Sequence, residues 1–108
     1  KSGKILTTLT SFLGSPTIGS SVYLSNKNYL KSLCDVWGVE NKKYNITSHY
    51  FSPSFMITEH TSKMDDRLID QMINSTKTKK IMTVNHVSNK ISKFLSEDTL
   101  IESNEIKL

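Results

Sequence analysis

Tyr23, Phe51 and Phe55, with the lysine pairs Lys42-Lys43 and Lys79-Lys80, are the side chains of this 108-residue sequence whose types and spacing could do chemistry. Aromatic rings on an open sheet stack on unpaired bases, each stack contributing about 1–3 kcal/mol, while lysines at the rim neutralise phosphate. In VYLS (22–25) Val22 and Leu24 alternate with Tyr23, which places the ring on the face opposite the two aliphatics. Phe55 falls opposite Met56 in the same way, and Phe51 joins the set where the strand runs on through Pro53. Ile57 and Ile81 share that face, so the same surface also suits a protein partner.

Catalytic and metal-binding patterns are sparse. His49, His60 and His86 are scattered through predicted strands or their ends, and Asp65, Asp66 and Asp70 belong to the start and face of a helix, where the dipole and solvation account for them. Neither a Gly-rich phosphate loop, a nucleophile elbow nor a Cys-His pairing is present in the sequence. Cys34 is the one cysteine, which excludes an internal disulfide and points to a reducing, intracellular compartment, cytoplasmic or nuclear. The expectation is a noncatalytic domain, alone or within a larger enzyme, with no cofactor and no metal.

Composition fits a soluble globular domain, at 36% hydrophobic and 22% charged residues. No apolar run approaches the roughly 20 residues of a membrane span. The net charge of +4 is uneven, because residues 94–108 hold Glu97, Asp98, Glu102 and Glu105 against Lys107 alone. The remainder is correspondingly basic, which favours an acidic partner such as RNA.

The elements that must position these groups follow from periodicity. Residues 4–14 read as a strand through Ile5, Leu6 and Leu9, and 17–25 as a second. A helix then carries Leu30, Leu33, Cys34 and Trp37 on one face and stops at Gly38, with Trp37 in the core. Residues 43–51 and 54–60 read as strands around Ser52-Pro53, 62–75 as a helix capped by Ser62, 79–88 as a strand, and 89 onward as a helix capped by Asn89. This predicts an α+β two-layer sandwich: a mainly antiparallel sheet with a split βαβ, ferredoxin-like βαββαβ core, plus a C-terminal helix. The chain is taken as one domain, 1–108, with a core of 17–88, an N-terminal extension of 1–16 and a tail of 89–108, excised from a larger protein.

Residues 22–87 resemble an RNA recognition motif. VYLSN (22–26) is similar to the first-strand signature of that family, LKSLCDVWG (30–38) to its first helix, and residues 55–87 follow its third strand, second helix and fourth strand in order. Residues 51–55, FSPSF, depart from the third-strand pattern, keeping Phe55 at an aromatic position. The resemblance implies single-stranded RNA bound on a sheet face by Tyr23, Phe55 and Phe51, with Lys42, Lys43, Lys79 and Lys80 on phosphate. Two alternatives stand beside it. One is a protein-interaction or assembly domain of the same fold, docking through the sheet face or the C-terminal helix. The other is the messenger-cap-binding domain of a viral polymerase, in which two rings sandwich one base.

Overall fold

The segments Gly3–Thr8 (β1) and Ile46–Phe51 (β2) pair with each other in parallel, from Gly3 opposite Ile46 to Thr8 opposite Phe51. Parallel strands cannot be joined by a tight hairpin, so the chain between them must cross the sheet. It does so as α1 (Ser21–Glu40), which lies between 3-10 turns at Ser11–Gly14 and Lys42–Tyr44. Asn45, in the left-handed region at φ 57°, then swings the chain into β2. After α2 (Asp66–Ser75) and α3 (Val84–Ser96), the two-residue β3 (Glu105–Ile106) adds to the other side of β2, again in parallel. The sheet order is β1-β2-β3. This computed structural model describes residues 2–59, 61–75, 81–98, 101 and 103–108.

Alternation along β2 sorts the helices onto opposite faces. Ser48 and Tyr50 face α1, where the buried Cys34 places its Sγ 3.1 Å from the Ser48 Oγ and Gly38 lies against Ser48. These small side chains let the helix approach the strand closely. On the other face Phe51, Val87, Phe94 and Ile106 form a buried cluster, with Leu6, Met56, Met82, Ile91 and Leu108 packed around it. Thr83 caps α3 by accepting from the His86 N–H at 3.2 Å. At the far end of α3 the Lys4 ammonium, reaching from β1, donates to the Phe94 carbonyl at 2.7 Å and to that of Glu97, and stands 4.8 Å from the Phe94 ring centroid. A cation is well placed against the negative end of a helix dipole.

The architecture is therefore a three-layer α/β arrangement, not the antiparallel ferredoxin-like sandwich that the periodicity suggested. The largest correction is at residues 17–25, where the expected strand is replaced by a turn and the first turn of α1. Leu24, Lys27, Lys31, Cys34 and Gly38, spaced by threes and fours, form the helix face turned to the sheet, and a leucine and a cysteine are its apolar members. Val22, Tyr29 and Val39 point to solvent instead, which disguised the helix. Residues 54–60 contribute a single bridge, Met56 to Met82, and His60 lies outside the described residues. Of the strand expected at 79–88, Lys79 and Lys80 also lie outside them, and Val84 already opens α3. The helix expected from Ser62 begins at Asp66, with the Asp65 Oδ1 accepting from the Arg67 N–H at 2.9 Å. Thr83 replaces Asn89 as the last cap.

Phe51 sits at the centre of the covered face. Phe51→Ala is expected to cost about 3–4 kcal/mol in urea denaturation, whereas loss of a ring from an open surface would cost at most about 0.5 kcal/mol.

Candidate functional site

Beyond Thr8 the chain does not leave the sheet at once. The Leu9 N–H donates to the Phe51 carbonyl at 2.9 Å and the Ser11 N–H to that of Pro53 at 3.1 Å, so the segments following β1 and β2 stay side by side. Leu9 and Thr10 are buried, and the Thr10 hydroxyl accepts from the Phe12 N–H at 3.3 Å while keeping its own proton to donate. Gly19, at φ 82°, and Ser20, whose hydroxyl donates to the Thr17 carbonyl at 2.5 Å, turn the chain into α1. The first two turns of α1 thereby meet the carboxyl end of β1.

Tyr23 and Lys27 occupy those two turns. Four residues apart, they share a helix face. The Lys27 ammonium donates to the Thr8 carbonyl at 3.0 Å and stands 5.8 Å from the centroid of the Tyr23 ring. Thr8 satisfies one of its three N–H donors, and Tyr23 is about half exposed, at 51%. A phenol and an ammonium are thus held together at the end of a parallel strand.

A cleft of about 620 Å³ opens over the carboxyl ends of the strands, its walls including Thr10, Ser11, Phe12, Ser52, Ser54 and Met82. Its far side is Tyr50, with the Lys31 ammonium 5.3 Å from the ring centroid. Lys31 pairs with Asp35 at 3.1 Å, and the other Asp35 oxygen accepts from the Asn104 side-chain amide at 3.2 Å, joining α1 to the segment that enters β3. The hydrogen bond to Asp35, helped by the Tyr50 oxygen, holds the Lys31 pKa above its usual 10.5.

The sequence candidates do not assemble. Tyr23 is on a helix, Phe51 and Phe55 are 5% and 6% exposed, and Lys42 and Lys43 lie in the turn that enters β2, at the amino end of the sheet. Lys79 and Lys80 lie outside the described residues. His49 is buried, with its Nδ1 3.1 Å from the Ser103 carbonyl and its ring against Phe94. Among the described residues no group of three or more His, Cys, Asp or Glu side chains is gathered to hold a metal, and no helix is long and apolar enough to cross a membrane. What sequence reasoning missed is Lys27 beside Tyr23, together with Thr10 and Ser54. The four-residue spacing of Tyr23 and Lys27 carries meaning only once the stretch is read as a helix.

No family model matches the chain, and no curated protein matches it. Among solved structures, the crystal structure of NAD+-bound xylitol dehydrogenase matches with a TM-score of 0.78, covering 97% of this chain and 47% of that one at 16% identity. The fold is Rossmann-like. This overturns the reading as an RNA-binding sheet: the strands are all parallel, helices cover both faces, and the aromatics expected to stack on bases are in the interior or on a helix. The chain spans about half the length of the matched structure. In open α/β sheets of this kind ligands bind outside the carboxyl ends of the strands, where Thr10, Tyr23 and Lys27 lie.

A raised Lys31 pKa makes the Lys31–Asp35 pair a stabilising contact that is fully present below the usual 10.5 and fades as pH rises through the folded value. With the Lys31 side chain 40% exposed, the contribution is below about 1 kcal/mol. Urea midpoints measured from pH 8 to 11 are expected to fall more steeply in the wild type than in Asp35→Asn.

Proposed function

We propose that this chain forms part of an oxidoreductase that uses a nicotinamide dinucleotide, with Tyr23 as the group that moves the proton. The observation that carries the reading is the Tyr23–Lys27 pair at the carboxyl end of β1, its ammonium anchored on the Thr8 carbonyl. Its support is the Rossmann-like fold, shared with a dehydrogenase solved with NAD+ bound.

The chain offers the nicotinamide end of such a cofactor a cationic hydrogen-bonding group, Lys27, and carries no Gly-rich loop for its phosphates. Lys27 keeps two N–H donors for hydroxyl or carbonyl oxygens of a ligand at the end of β1, beside a cleft that Thr10, Ser11 and Phe12 line. A bound nicotinamide supplies or accepts the hydride. The Tyr23 hydroxyl delivers the accompanying proton to a carbonyl oxygen, or takes it from an alcohol. The Thr10 hydroxyl, buried and with its proton unspent, donates to the same substrate oxygen and orients it.

In the full-length protein, Tyr23→Phe is expected to lower kcat by about 10²–10⁴-fold while leaving the dissociation constant for NAD(H) within about twofold, a difference under roughly 0.5 kcal/mol. Lys27→Met is expected to reduce both. Steady-state turnover followed by nicotinamide absorbance, with fluorescence titration of NADH, measures the two quantities. Unchanged turnover in Tyr23→Phe, or absence of NADH binding by the wild type, would remove this reading.

A further inference from the structure

We infer a second binding site, at the amino end of the sheet, for a small neutral molecule with an amide-type edge, N–H donors beside a carbonyl acceptor. It is independent of the Tyr23–Lys27 reading, because Lys4 and Thr8 place the two sites at opposite ends of β1. The starting point is His49, which is buried and takes no part in the proposed reaction. Its Nδ1 stands 3.1 Å from the Ser103 carbonyl, which can only accept, so Nδ1 carries a proton and the neutral ring presents its lone pair at Nε2. That Nε2 has no hydrogen-bond partner among the described residues. Nor is it sealed in the core: among the described residues, Ser54 alone has a side-chain polar atom both closed off from solvent and without a partner. His49 lines a cavity of about 470 Å³, and the lone pair opens there.

Strand register builds the rest of the site. Lys4 lies opposite Thr47 across the β1–β2 pair and His49 is two residues further along β2, so alternation puts all three on the face that α3 covers. The three line the cavity together with Asp98, which directly follows Glu97 beyond the end of α3. The Lys4 ammonium gives two of its N–H groups to the carbonyls of Phe94 and Glu97 and keeps the third. Phe94 joins the groups: its ring centroid is 5.0 Å from that of His49, edge to face, and 4.8 Å from the Lys4 ammonium. Leu95 and Ile101, both exposed, add apolar surface to the walls.

These groups discriminate among ligands. Two acceptors, Nε2 and the Asp98 carboxylate, call for N–H donors, and the remaining Lys4 hydrogen calls for an oxygen. A primary carboxamide carries both on one planar edge. A carboxylate would meet Lys4 but bring negative charge to Asp98 and no donor to Nε2, while an ammonium would bring positive charge to Lys4. An apolar body on the ligand covers Leu95 and Ile101. The volume lies within the range of small-molecule pockets, about 300–1,000 Å³.

The test is calorimetric titration of the full-length protein with benzamide, benzoate and benzylamine, probes of similar shape that differ in the charge of the polar edge. Benzamide is expected to bind, and the other two to bind about tenfold more weakly because each sets like charges together. His49→Phe keeps a ring against Phe94 and removes the lone pair, and is expected to weaken benzamide about fivefold, the value of one hydrogen bond. Because this variant also leaves the Ser103 carbonyl without its donor, Asp98→Asn, at an exposed position that the fold tolerates, is the second variant. It is expected to weaken benzamide about threefold and to strengthen benzoate, whose negative charge then meets no carboxylate. Absence of benzamide binding by the wild type, equal affinity for the three probes, or unchanged benzamide affinity in Asp98→Asn or in folded His49→Phe overturns the inference. Neither variant should alter NADH binding, so a failure here leaves the reading of Tyr23 and Lys27 standing, and a failure there leaves this one.

Discussion

Parallel pairing of β1 with β2 is the constraint on which the rest depends. A parallel neighbour can be reached only by a crossover long enough to span the sheet, and α1 is that crossover. Once α1 covers one face, the other face of β2 offers His49 and Phe51, and the chain must supply a second helix to bury them. Both helices and the order of the strands follow from one pairing. So does the site, because a crossover helix starts where the preceding strand ends.

The contacts that fix α1 are modest in size but directional. Cys34 against Ser48 and Gly38 beside it set its distance from β2 near its carboxyl end. Lys27 on the Thr8 carbonyl and Lys31 over Tyr50 fix its rotation nearer the amino end. Two lysines thus occupy positions of the sheet-facing stripe that a purely structural helix would fill with leucine. Their stems lie along the sheet while their ammonium groups reach strand-end and ring acceptors. Lys4 acts similarly on the opposite layer, where it ties the last turn of α3 to β1 through backbone carbonyls.

Much of this was open to reading from the residues, though not the part that mattered most. β1 and β2 followed from Ile5-Leu6 and from the alternation of residues 43–51, and the amphipathic stretch 62–75 did become a helix from Asp66. Strand direction was not legible, because alternation tells which residues share a face but not which way the neighbouring strand runs. Residues 21–25 were misread because three aliphatic or aromatic residues in a row of five satisfy a strand period and a helix period alike, and the stripe that decides between them contains Lys27 and Lys31. Tyr23 was singled out as a stacking surface on a sheet, whereas it stands on α1 with Lys27 one turn on. That neighbouring lysine is invisible to a reading with period two.

β3 is two residues long, and beside it the Tyr50 N–H donates to the Asn104 carbonyl at 2.8 Å. So short a ladder places the last stretch of chain at the low end of the local-opening free energies within a domain, well below the β1–β2 pair. Lys107 and Leu108, which follow it, help to wall the cleft. Amide hydrogens in this stretch will therefore exchange early in the unliganded protein, and any molecule that bridges it to the opposite wall at Thr10 and Ser11 will slow that exchange in proportion to its occupancy. The C-terminal residues are in this sense a reporter built into the wall of the site: their exchange protection records whether the cleft is filled.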